Sequence, residues 1–310
     1  MPPAPASAPL LVTGACGPAG RSLLAQLAER GLPALGADMA PPPAGDASCP
    51  VLPVPPARDP GFPAALRELV AAHGVRTVVP TVSEELPVLA ALAGRLGEGV
   101  RIVVSAPEAV AIADDKLRTA ELLDAAGVAV PAFAPGSLPA AEATARTGLP
   151  LVAKPRVSRG ARGVRVVRRA EELGAPDPGC VLQAFAPGAE YAPVVYLPLP
   201  DGALRAAGAA EPFVAVLEKT GLSAGEVGNA TGVRRVDGPD TEDVARLAVA
   251  AARAAGLYGP VDVDVRRDAA GTARVLELNA RFGANSSAAP ELLGALLRDL
   301  GLPGEAGTGT

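Results

Sequence analysis

The chain has no tryptophan, three tyrosines, five phenylalanines, one histidine and three cysteines among 310 residues. A histidine base therefore has one candidate, His73, which closes a helical run over 62–73 and reads as a surface or helix C-terminal residue. Cys16, Cys49 and Cys180 are odd in number and lack metal-type spacing, so neither a disulfide framework nor a zinc site is expected. Lys and Arg (28) are outnumbered by Asp and Glu (33), giving a net charge of −5 and no basic stripe for a nucleic acid. Uninterrupted apolar runs of about 18 residues are missing, so no membrane span is expected. Residues 1–9 are rich in Pro and Ala and lack the charged and apolar regions of a signal peptide. The expectation is a soluble, cytoplasmic protein with no nucleic-acid or membrane partner.

Length suffices for two or three domains, each with its own core. An apolar strand at 10–13 runs into Gly14-Ala15-Cys16-Gly17-Pro18-Ala19-Gly20, a helix follows over 21–30, and a second strand ends at Asp38. Strands at 51–54, 77–80 and 101–104 alternate with helical runs over 62–73 and 84–96. That alternation predicts a Rossmann-like parallel sheet over 1–113. A helix over 116–126, strands at 150–154, 164–167 and 181–185, and a glycine-rich loop at 158–163 come next. A β-rich region with one long helix over 241–256, a late hairpin, a helix over 290–300 and a glycine-rich tail complete the chain. No internal repeat is visible.

The late hairpin carries the strongest chemical signal. Asp264 and Glu277 lie thirteen positions apart, and Asn279 follows Glu277 by two, so Glu277 and Asn279 share one strand face. A turn at Asp268-Ala269-Ala270-Gly271 would bring Asp264 beside them. Such oxygen donors, with no His or Cys, suit Mg²⁺, an ion usually shared with substrate phosphates. A polar hairpin face is the plain alternative. Lys154 ends a strand just before the 158–163 loop, the arrangement of a point charge and backbone N–H groups around phosphate oxygens. The glycine turn at 14–20 matches the pattern of short-chain dehydrogenases and epimerases, but no Tyr-x-x-x-Lys pair accompanies it: Val195, Pro200 and Asp262 stand four residues after the three tyrosines.

In order and spacing these pieces resemble the ATP-grasp superfamily over nearly the whole chain, and within it carbamoyl-phosphate synthase-like and pyrrolysine-pathway ligases. The carriers are Asp114-Asp115-Lys116, Pro150-Leu151-Val152-Ala153-Lys154, the 158–163 loop, Val181-Leu182-Gln183-Ala184-Phe185 with Glu190, and Glu277-Leu278-Asn279-Ala280-Arg281. Ala280 stands where the family usually has proline, and Asn285-Ser286-Ser287 replaces a commonly glycine-rich substrate loop. The resemblance implies an α/β fold: a Rossmann-like domain over 1–113, then a two-lobed α+β module divided into 114–185 and 186–310. It implies that Lys116, Lys154 and the lid residues Ser158, Arg159, Gly160 and Gly163 meet the ATP phosphates. Gln183, Ala184 and Phe185 would hold the adenine and Glu190 the ribose. Asp264, Glu277 and Asn279 would hold one or two Mg²⁺ ions, with Mn²⁺ as a substitute, and Arg281 would face the transferring phosphoryl group.

Outside those motifs, Lys219, Arg234 and Arg235 are the cations available for a substrate carboxylate or for catalysis. Glu84 and Glu85 could hold an amine, and Asn285 and Ser286 could line the substrate loop. The activity implied is an ATP-dependent carboxylate–amine ligase joining small molecules, amino acids above all, through an acyl phosphate; a homodimer is compatible with it. Carbamate, carboxylation or phosphorylation chemistry on the same fold is the first alternative. An NAD(P)-dependent epimerase is the second.

Overall fold

A computed structural model describes residues 8–41, 49–208 and 211–303, so most of the Pro/Ala-rich start and of the glycine-rich tail lies outside the described residues. The first unit runs β1 (Leu10–Thr13), α1 (Pro18–Glu29), β2 (Ala34–Asp38), β3 (Val51–Pro53), α2 (Phe62–His73), β4 (Thr77–Pro80), α3 (Leu86–Leu92) and β5 (Arg101–Ile102). Its strands form a parallel sheet in the order β3-β2-β1-β4-β5. β1 is central and all four of its residues are buried, as expected of a parallel strand covered on both faces. α1 begins at Pro18 rather than at 21, because proline at the first helical position gives up an N–H that no helix would use. The helix expected over 84–96 is shorter. A 3₁₀ turn at Ser83–Glu85 precedes α3, Pro87 sits in the first turn of α3, and the helical path ends at Leu92, where Ala93 turns away at ψ 128° ahead of left-handed Gly94.

α4 (Pro107–Asp114) leads to α5 (Lys116–Ala125), whose N-cap Asp115 accepts from the N–H groups of Leu117 and Arg118. The same carboxylate takes the Arg156 guanidinium at 2.5 Å, tying α5 to the strand that bears Lys154. β6 (Phe133–Pro135), α6 (Ala140–Thr147), β7 (Leu151–Pro155), β8 (Arg165–Val167) and β9 (Cys180–Ala184) follow. The four strands make an antiparallel sheet ordered β6-β9-β7-β8.

The remainder comprises β10 (Glu190–Tyr191), β11 (Val194–Leu197), α7 (Ala203–Ala206), β12 (Phe213–Ala224), β13 (Val227–Val236), α8 (Glu242–Ala254), β14 (Gly259–Arg267), β15 (Ala273–Asn279) and α9 (Glu291–Asp299). Its sheet is ordered β10-β12-β11-β14-β15, with β13 hung on β12 as a long, bulged hairpin. Leu89 and Val104 of the first unit, Val110 and Leu123 of α4 and α5, and Val261, Val263 and Leu278 of the last sheet share one buried apolar cluster. Close packing of this kind fixes the parallel unit against the β14–β15 hairpin.

Candidate active site

The hairpin forms as its alternation demands. Asp264 pairs with Glu277 and Asp262 with Asn279, so four oxygen-bearing side chains share one face while Val261, Val263 and Val265 are buried on the other. The register slips once, between Asp264 and Val265, leaving Leu276 as an unpaired bulge residue. The carbonyl of Leu276 accepts from Lys154 Nζ at 3.0 Å, so the irregularity gives the buried lysine its partner.

Two carboxylates directly opposite each other repel, and the structure answers with three ammonium groups. Lys116 Nζ lies 3.4 Å from Glu277 Oε2 and donates to the Ser158 carbonyl at 2.8 Å. Lys219 Nζ bridges Glu190 Oε1 and Asp264 Oδ1, each at 2.6 Å. Lys154 is only 6% exposed. Burial alone would raise Glu277, but Lys116 and Lys154 pull its carboxyl down to about 2. For Asp264 burial wins against Lys219, with Glu277 and Asp262 adding repulsion, and the group rises to about 7. Burial lowers Lys154 to about 8 in spite of Glu277.

Nine of the ten residues expected to meet a nucleotide line one cavity of about 120 Å³: Lys116, Lys154, Ser158, Arg159, Gly160, Gln183, Ala184, Phe185 and Glu190. Gly163 stands apart, in the left-handed region against the Pro155 ring at the root of the loop. Arg266, which sequence reasoning missed, stacks 5.0 Å from the centre of the Phe185 ring and lies 3.2 Å from Glu190 Oε2. Its position two residues after Asp264 was the available signal. Asn229, from the β12–β13 hairpin, also lines the cavity and faces Gly160 of the loop. It carried no local signal.

A second cavity, about 430 Å³, adjoins the first and shares Lys219, Asp264 and Glu277 with it. Its far wall is the glycine turn of the first unit, including Gly14, Gly17 and Pro18; Asp262, Asn279, Arg281 and Asn285 line the near side. A side chain on Gly14 would run into Val82 and Thr81, so the turn needs glycine for close approach as well as for its φ of +67°. Arg281 joins the two units: its Nε donates to Ser83 Oγ at 3.1 Å and its Nη2 to Asn279 Oδ1 at 3.1 Å.

The other substrate candidates are not gathered here. Glu84 pairs with Arg159 of the loop, linking that loop to the first unit. Arg234 pairs with Glu218, and Arg235 with Glu291 at 2.6 Å; neither lines either cavity. Ser286 is buried, and its Oγ has no hydrogen-bond partner among the described residues.

Glu85 turns inward, where its carboxylate accepts from the Thr13 hydroxyl. Burial, with Asp38 and Glu84 nearby, raises its carboxyl from 4.5 to about 7. Between those values the folded chain keeps a proton that the unfolded chain has lost, so this group favours folding at low pH and loses that contribution as pH rises through 7. Glu85→Gln keeps the shape and removes the titration. Urea unfolding should show the wild type losing about 3 kcal/mol more than the variant between pH 4.5 and 8; parallel curves would mean that the carboxyl is not held protonated.

A parallel α/β unit, a lysine-bearing antiparallel lobe and a second sheet edged with paired carboxylates define a mixed α/β protein with a cleft between two lobes. The ATP-grasp domain family model matches residues 113–285, and the chain belongs to that family. Among solved structures, the L-amino acid ligase from Bacillus licheniformis is similar with a TM-score of 0.69 and 19% identity, over 92% of this chain and 70% of that one. The N5-carboxyaminoimidazole ribonucleotide synthetase from Thermus thermophilus gives 0.69 and 21%, over 95% and 79%. Biotin carboxylase from Campylobacter jejuni gives 0.67 and 14%, over 97% and 72%. No curated protein matches the chain in sequence. Among the described residues, no helix is long and apolar enough to cross a membrane.

The donor set fits a hard divalent cation, with one qualification. Among the described residues, no group of three His, Cys, Asp or Glu side chains is arranged to hold a metal. An ion at Asp264 and Glu277 would rest on two carboxylates and the Asn279 amide, and would need phosphate or water oxygens to complete its shell, as Mg²⁺ commonly does. That Lys219 already sets an ammonium against Asp264 supports a site built for positive charge.

Proposed function

We propose that this ATP-grasp protein is an ATP-dependent carboxylate–amine ligase acting on small molecules, amino acids among them. The observation that carries the reading is the meeting of two cavities at one acidic edge: the smaller is lined by the lysine and loop residues, the larger opens toward the first unit, and both reach Asp264 and Glu277. In this reading Lys116, Lys154 and the loop neutralise the triphosphate of ATP, Gln183 to Phe185 border its base, and Glu190 with Arg266 lies at the ribose. Asp264, Glu277 and Asn279 would hold Mg²⁺, which when bound offsets charge on the phosphate oxygens. Arg281, fixed by Ser83 and Asn279, would face the transferring group. Lys219 would leave its bridge to Glu190 and Asp264 when nucleotide and ion enter.

The γ-phosphoryl group passes to a carboxylate oxygen and ADP leaves. The amine, after giving its ammonium proton to solvent, attacks the acyl carbon through its lone pair; phosphate departs with the C–O electron pair, and nitrogen then loses its one extra proton to phosphate or solvent. Closure of the 158–163 loop would keep water from the acyl phosphate. In this reading the chain divides at 1–113, 114–185 and 186–310, a proposal supported by the three separate sheets of the described residues. The epimerase alternative draws no support from the tyrosines: none of the three is followed at the fourth position by a lysine, so the pair such enzymes use for proton transfer is missing from the sequence.

The test is phosphate release from Mg-ATP over pairs of carboxylic acids and amines. Release that needs both partners is the expected result. Turnover with bicarbonate in place of the acid would favour the carboxylation chemistry named in two of the similar structures. NAD(P) binding without any response to Mg-ATP would refute the reading outright.

A further inference from the structure

Asp262 is a carboxylate that phosphoryl transfer leaves unused. It lies on β14 opposite Asn279, two residues before Asp264 and on the same face. It is 8% exposed and lines the larger cavity. Its Oδ1 is buried with no hydrogen-bond partner among the described residues. Its Oδ2 lies 3.6 Å from Arg281 Nη1, an ion-pair distance beyond a hydrogen bond. That guanidinium is committed elsewhere, to Ser83 Oγ, the Phe282 carbonyl and Asn279 Oδ1. A buried carboxylate oxygen left without a donor is costly and calls for an explanation.

Gly283 keeps the space beside it open. A Cβ at 283 would stand 2.1 Å from Asp262 Oδ2 and 2.3 Å from its Cγ, so any side chain there would press on the carboxylate. The acid is thus accommodated by a glycine, starved of donors, and set in the wall of a cavity large enough for a small molecule. What completes it is a ligand that brings N–H donors and positive charge.

We propose that Asp262 anchors the amino group of the amine substrate, so that the larger cavity selects a primary amine carried as its ammonium form. This rests on the ligase reading, deepening it from an unspecified amine to a cationic one held at a named carboxylate. The bound nitrogen lies two strand positions from Asp264, on the wall that continues into the acidic edge shared by the two cavities.

The test needs no turnover. Thermal melting of the whole protein with Mg-ADP is followed against a panel of primary amines, each beside its des-amino counterpart, beginning with L-alaninamide and propionamide. At least one amine should stabilise the wild type where its counterpart does not. Asp262→Asn should weaken that amine at least tenfold while ADP affinity stays within twofold. Gly283→Ala, which crowds the carboxylate without removing it, should weaken the same amine with ADP again held. Three results overturn the proposal: no amine distinguished from its counterpart, an Asn variant that binds amines as tightly as wild type, or a parallel loss of Mg-ADP that would make Asp262 a metal ligand. If no acid–amine pair supports phosphate release, the ligase reading fails by itself, while amine-dependent melting still decides the role of Asp262.

Discussion

Glu277→Gln should lower Mg-ATP-dependent phosphate release about 10³-fold, the size of effect seen when one preorganised charge-stabilising group is lost. Glu277 is the anionic partner that Lys116 meets at 3.4 Å and that feels the charge of Lys154 as well. Glutamine preserves the shape and the contact with Asn279 but removes the charge that a divalent cation and two lysines need. The same change relieves repulsion from Asp264 but strands the Lys116 and Lys154 charges that hold the Glu277 carboxyl down to about 2, so the melting temperature should fall. Steady-state phosphate release with matched melting curves separates the two effects. Full turnover in the variant would remove the acidic edge from the mechanism.

Lys154→Met should raise the apparent KM for ATP about 30-fold, as expected for losing one charge-assisted contact to phosphate in a dry site. Its stability should move the other way. The ammonium is almost wholly buried, burial has pulled it down to about 8, and its hydrogen-bond acceptor is the Leu276 carbonyl. Because burial has lowered the ammonium in spite of Glu277, its charge costs the fold stability, and an apolar side chain of similar length removes that cost. A variant that is tighter-folded yet poorer in ATP use is the signature of a residue kept for its site at the expense of the fold. ATP titrations alongside urea unfolding measure both, and an unchanged KM would place the nucleotide elsewhere.

How far these residues could be found in advance differed by their surroundings. Asp264, Glu277 and Asn279 were legible because strand alternation is a local rule, and two strands thirteen residues apart with a turn between them meet most simply as a hairpin. The bulge at Leu276 was not legible, since nothing in the chain marks where a register slips. Lys116, Lys154 and Glu190 were singled out by their order along the chain, and all three line the smaller cavity. Arg234 and Arg235 were equally basic but belong to a strand whose side chains reach Glu218 and Glu291 instead. Glu84 was read as a candidate for substrate and lies against Arg159, because the loop and the first unit close on each other across 75 residues of sequence.

The sequence by itself determined the periodicities: which segments alternate, where glycine and proline interrupt them, and therefore the parallel unit, the lysine strand and the acidic hairpin. Those are decided within a few residues, by backbone sterics and by which face can be buried. Tertiary structure alone decided which charges meet: that Lys219 lies between Glu190 and Asp264, that Arg281 reaches Ser83, that Arg266 covers Phe185, and that Asp262 Oδ1 is left without a donor among the described residues. Electrostatic partnership depends on distance in space and on exclusion of water, and neither is written in the spacing of residues along a chain.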